Sequence, residues 1–92
     1  MIVRILHEGQ FRVSGADLDR LNKIDEKIVT AVSERDEKAF ATLLKQLVQA
    51  VREHGTAVPI DEFVESDVII PGEDATMDEV EDLFTGEGAL PG

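Results

Sequence analysis

Two histidines, His7 and His54, and twenty carboxylates are the groups in this chain best suited to move protons or hold a metal. Their spacing argues against both tasks. His7 falls in a predicted turn and His54 in the last turn of a predicted helix, where a cation suits the helix dipole. Neither has metal-ligand spacing such as His-Glu-x-x-His. Asp17-x-Asp19 and Glu79-x-Glu81-Asp82 lie on predicted helices, where alternate residues point in different directions. Neither is followed by the loop glycine and distal glutamate of a calcium hand. Cysteine is absent, which removes thiolate zinc sites, disulfide frameworks and a cysteine nucleophile. Ser14, Ser33 and Ser66 have no general base beside them and read as cap or turn residues. Gly9, Gly15, Gly72 and Gly86 are separate punctuation, not a phosphate-cradling loop. A paired-carboxylate hydrolase is a distant reading, because so short a chain offers little wall area for a cleft. The expectation is a protein with no catalytic residues, no cofactor and no metal.

Charge placement points elsewhere. The net charge is −11 over 92 residues. All nine Lys and Arg lie between Arg4 and Arg52, and residues 1–55 also hold nine acids, so that part is formally neutral. Residues 56–92 carry eleven acids and no base. Nucleic-acid binding rests on clustered Lys and Arg that neutralise phosphates, and anionic lipid is disfavoured for the same reason. No apolar run exceeds three residues, as at Val68-Ile69-Ile70, which leaves nothing that reads as a membrane span or signal-peptide core. A protein partner is the better default, in a cytoplasmic protein.

The elements that would position these groups are readable from periodicity. Ile2-Val3-Arg4-Ile5-Leu6 and Phe11-Arg12-Val13 are β-prone and flank Glu8-Gly9, where glycine supplies the positive φ of a tight turn. The register is open between two loops. A three-residue loop puts Val3, Ile5, Phe11 and Val13 on one face and both arginines on the other; a two-residue loop mixes the faces, and the longer is favoured. Ile2 and Leu6 then share the arginine face and need cover. Ser14 with Asp17 resembles a capping box, opening a helix over residues 15–33 with the stripe Leu18, Leu21, Ile24, Ile28, Ala31 and Val32. Asp36 is the N-cap of a second helix that runs to His54 and stops at Gly55. Its apolar face is Phe40, Leu43, Leu44, Leu47, Val48 and Val51. The link of two to four residues predicts an antiparallel helical hairpin. Thr56-Ala57-Val58-Pro59 reads as extended, and Val68-Ile69-Ile70 as a third strand beside the hairpin. Thr76 with Glu79 caps a short third helix with Met77, Val80, Leu83 and Phe84 on its apolar side. The fold class is α+β. A β-hairpin and helical hairpin occupy residues 1–55 of one small domain, and an acidic extended segment, short helix and tail fill residues 56–92.

Two surfaces are candidates for protein binding. Lys38, Lys45 and Arg52 recur every seven residues along the second helix, beside Gln49. They form either a wet basic face or one covered by the chain's own acidic half. The other surface is the acidic segment: Asp61, Glu62, Glu65 and Asp67, then Glu73 and Asp74. Exposed ion pairs contribute about 0–1 kcal/mol each, so such charges set on-rate and partner choice more than affinity. Tight contact needs apolar anchors, and Phe63, Phe84 and Leu90 lie furthest from the main helix pair.

The opening Met1-Ile2-Val3-Arg4-Ile5-Leu6 and Glu8-Gly9-Gln10-Phe11 resemble the start of the PspA-associated family, PspAA. So do Leu18-Asp19-Arg20-Leu21-Asn22, Ser66-Asp67-Val68-Ile69-Ile70-Pro71, Asp74-Ala75-Thr76, and the ending Gly86-Glu87-Gly88-Ala89-Leu90-Pro91-Gly92. The similarity spans essentially the whole chain. His7 departs from it, standing where the family tends to carry a smaller residue, often glycine. The resemblance implies a small α+β accessory protein that associates with PspA, the coiled-coil membrane-remodelling protein of the phage-shock envelope-stress response. It brings no catalytic residues. The expected partner is therefore a PspA-like helical protein, with membrane contact only indirect, through that partner at the inner face. The alternative is an acidic module that masks a basic surface of a regulator. A homodimer through the hairpin's exposed edge or the basic stripe is a further expectation.

Overall fold

A computed structural model of the chain describes residues 1–80. The elements are β1 (Ile2–Ile5), β2 (Gly9–Arg12), α1 (Gly15–Ser33), α2 (Glu37–His54), β3 (Thr56–Ala57), β4 (Val68–Ile70) and α3, described over Met77–Val80. The four strands form one mixed sheet in the order β3-β2-β1-β4. This is the expected α+β arrangement, with β3 added.

The hairpin pairs Val3 with Phe11 and Ile5 with Gly9, which leaves residues 6–8 as a three-residue loop. Since side chains alternate across a strand, Val3, Ile5, Phe11 and Val13 share one face and Arg4, Gln10 and Arg12 the other. β4 runs parallel to β1, with Val68 beside Val3 and Ile70 beside Ile5. Val68 and Ile70 are buried and Ile69, on the arginine side, is half exposed. Ile2, also on that side, is covered, whereas Leu6 in the loop stays 39% exposed. The segment expected to be merely extended pairs with β2 as β3, Phe11 opposite Ala57. The two sides of the hairpin are thus taken by β3 and β4. A homodimer through an exposed hairpin edge is ruled out, because the chain's own strands use those hydrogen bonds.

The apolar sheet face packs on the helical hairpin. Val3, Ile5, Val13, Val68 and Ile70 join Leu21, Ile28, Phe40, Leu44, Leu47, Val48 and Val51 in one buried cluster. Fully burying such a side chain contributes about 1.5–3 kcal/mol, so this cluster is the main stabilising term. Met77 of α3 joins the same cluster.

The helix ends follow from local chemistry. At α1, the Ser14 hydroxyl oxygen accepts from Asp17 N at 3.2 Å and its proton goes to Asp17 Oδ2 at 3.0 Å. At α3, Thr76 and Glu79 make the full reciprocal box: Glu79 N donates to Thr76 Oγ1 and Thr76 N to Glu79 Oε1. Glutamate has one more methylene than aspartate, and that length lets it reach back to the backbone N–H. Between α1 and α2, Arg35 N donates to Val32 O and Asp36 N to Ala31 O, the two bonds of a Schellman motif. Arg35 takes the left-handed position with φ +58°. Asp36 then accepts from Ala39 N at 3.1 Å, so one residue ends the first motif and caps the next helix.

Glycine use departs from simple expectation at two places. His7 adopts φ +68° at the third position of the turn closed by Glu8 N and Ile5 O. That is where glycine is favoured, which explains why a smaller residue suits this site. Gly55, by contrast, has φ −85°. A Cβ there would meet Val51 O at 2.6 Å, Phe11 Cβ at 3.1 Å and Arg12 O at 3.3 Å. Gly55 is needed for the close approach of α2 to β2, not for positive φ.

His7→Gly should therefore stabilise the fold by up to about 1 kcal/mol, since left-handed backbone costs an L-residue roughly 1–2 kcal/mol and glycine's extra chain entropy offsets part of the gain. Gly55→Ala should destabilise it by about 1–3 kcal/mol, the usual cost of overpacking. Urea unfolding monitored by circular dichroism reads both, and a neutral Gly55→Ala would contradict the close packing described.

Candidate protein-binding surfaces

The basic stripe of α2 divides in two. Lys38 and Lys45 are exposed. Arg52 is about one-third exposed and is engaged within the chain. Its guanidinium, a planar fork of five donors, grips the Glu8 carboxylate through both Nε, at 2.6 Å, and a terminal nitrogen. Its other terminal nitrogen donates to Glu73 Oε2 at 3.2 Å and Gln49 Oε1 at 3.3 Å. One side chain thus joins α2 to the β1–β2 loop and to the segment after β4. Hydrogen bonding from Arg52 holds the Glu8 carboxyl below its ordinary value, against a smaller opposing push from burial, and Glu8 in turn raises Arg52. Lys45 lines a cleft of about 490 Å³ between α2 and the start of α3, together with Glu37, Glu73, Asp74 and Asp78. The acidic half of the chain folds back along part of the stripe.

The second surface is built by residues 58–67, which carry the chain from β3 to β4 at the opposite side of the sheet. The segment crosses the arginine face and is tied to it throughout. Val58 N donates to Gln10 O at 2.9 Å. Gln10 Nε2 donates to Val64 O and Ser66 Oγ, both at 2.9 Å, and Arg4 Nε reaches Ser66 Oγ at 3.3 Å. Arg12 pairs with Glu62. Asp67 Oδ2 accepts from Ile2 N at 2.7 Å while Asp67 N donates to Ile2 O at 2.8 Å. Of the acids singled out from sequence, Glu62 and Asp67 therefore fasten this crossing, and Asp61 and Glu65 are exposed on it. Phe63 is 96% exposed.

Sequence reasoning missed two residues. Ile60, fully exposed beside Phe63, stands outside any apolar period. The available signal was its position after Pro59 and before two acids, in a segment without helical or strand pattern. Asp25 is buried on the inner side of α1, between Leu21 and Ile28 at helical spacing. Phe84 and Leu90 lie outside the described residues.

The imidazoles stay apart in role: His7 is in the turn, and His54 Nδ1 lies 3.9 Å from Asp17 Oδ1, linking the last turn of α2 to the first of α1. Among the described residues no three His, Cys, Asp or Glu side chains are grouped to hold a metal ion. No helix among them is long and apolar enough to cross a membrane.

The Arg52 clamp gives a pH prediction. Because Glu8 is depressed in the folded state from its ordinary 4.5, its stabilisation is full above that value. It is lost as pH falls through the lowered folded value. Glu8→Gln should lower the melting temperature at neutral pH, and the gap from wild type should close in acid. A gap that persists once Glu8 is protonated would contradict this.

No curated protein and no solved structure matches this chain significantly. A family model does, over residues 1–92: that of the PspA-associated proteins. The chain belongs to the PspA-associated protein family, PspAA.

Proposed function

We propose that this protein is a non-enzymatic accessory factor that binds a PspA-like coiled-coil protein and tunes its membrane-remodelling work in the phage-shock envelope-stress response. The family match along the whole chain carries this reading. The physical surfaces are compatible with it. Long coiled-coil helices are rich in charge, and an acidic partner finds complementary basic stretches on them. The eleven acids beyond residue 55, with no base among them, would speed encounter and select against anionic surfaces. The same repulsion makes membrane contact indirect, with recruitment to the inner face following from the partner's own lipid binding.

Masking of a basic regulator surface draws on the same block of acids. Competition with DNA for a neighbouring transcription factor separates the two readings.

The direct test is co-purification with the PspA-like protein across a salt series. Retention should be strong at low ionic strength and weaken towards about 1 M, where the screening length falls to roughly 3 Å. No retention at low ionic strength would remove the proposal.

A further inference from the structure

We infer that the crossing segment over residues 58–67 is the docking surface, and that its occupant is a cationic amphipathic helix of the partner. The inference rests on the function proposed above and adds the face and the chemistry that recognises it.

Ile60 and Phe63 are 101% and 96% exposed, while every other large apolar residue among those described is half exposed or less. Fully wet apolar side chains occur singly on many surfaces and then mean little. Here two sit three residues apart on one segment and line a shallow groove of about 410 Å³ with Arg4, Gln10, Val64 and Glu65. The segment is anchored on either side of them: hydrogen bonds at Val58, Val64, Ser66 and Asp67, and the Arg12–Glu62 pair, tie it to the sheet. A fixed backbone lowers the ordering cost that a flexible loop would meet on binding.

Charge decides the occupant. Four acids on the segment stand above two arginines, and the arginines are already engaged, Arg12 with Glu62 and Arg4 with Ser66. Asp61 falls between the two apolar residues and Glu65 lies two positions beyond Phe63; both are exposed and make no ion pair among the described residues. An anionic lipid surface would be repelled. A helix with an apolar stripe bordered by Lys or Arg satisfies both halves of the surface, its stripe covering Ile60 and Phe63 and its basic border meeting Asp61 and Glu65.

The test compares wild type with Ile60→Ser/Phe63→Ser, with Asp61→Lys/Glu65→Lys and with Lys38→Ala/Lys45→Ala on the basic stripe, using calorimetric titration of the PspA-like protein. Melting temperatures report folding, which substitutions at such exposed positions should leave unchanged. The apolar variant should bind at least about tenfold more weakly, as for a pair of buried anchors. The charge variant should also weaken binding and flatten its salt dependence. Wild-type affinity in both the apolar and the charge variant overturns this inference and leaves the proposed function standing, as does loss of binding confined to Lys38→Ala/Lys45→Ala. No binding by wild type overturns both. Sedimentation of wild type, but not the apolar variant, with phosphatidylglycerol-containing vesicles would assign the surface to lipid and also overturn it.

Discussion

The structure depends on one topological constraint. β3 and β4 lie at opposite sides of the sheet, and the helical hairpin already fills the apolar face. The chain can join them only across the other face, which the hairpin register has made polar with Arg4, Gln10 and Arg12. That crossing cannot be an apolar layer, so it is fastened by side-chain hydrogen bonds and one ion pair. Gln10 holds the centre, donating to both Val64 O and Ser66 Oγ. Of the apolar residues on this segment, Val58 and Val64 are half-buried, whereas Ile60 and Phe63 stay fully exposed.

Charge is organised by the same route. The neutral first part and acidic second part do not sit side by side as separate bodies. Glu62 meets Arg12 on one face of the sheet, and Glu73 meets Arg52 at the end of α2. Each pair is partly exposed and adds little stability alone. Their effect is placement: each ties a stretch of the acidic half to an arginine of the first part.

Much of this was legible in the sequence because the signals were local. Capping serine and aspartate, with apolar stripes at spacings of three and four, placed both long helices at Gly15–Ser33 and Glu37–His54. Alternation gave the faces of the hairpin, and a β-branched run before proline gave β4. What escaped was non-local or contrary to residue type. Thr56-Ala57 is a strand only because β2 lies beside it. The Arg52–Glu8 clamp joins residues 44 apart, a pairing that no periodicity announces. Asp25 sits on an apolar stripe, where a charged residue reads as an interruption. Arg35 and His7 occupy backbone positions usually marked by glycine, while Gly55 serves proximity. Phe63 was singled out as an apolar residue far from the main helix pair, and it is exposed; Ile60, equally exposed, was passed over because it falls in no apolar period.

The outer strands have a consequence for how this molecule meets others. β3 is two residues long with Pro59 two positions beyond it, and β4 is three residues long and ends against Pro71. Strands so brief, each closed by an imino acid that lacks a donor, make poor templates for recruiting a further strand. The sheet is thereby guarded against fibril-like growth. Recognition is left to side chains, whose chemistry discriminates between partners in a way that a bare peptide ladder does not.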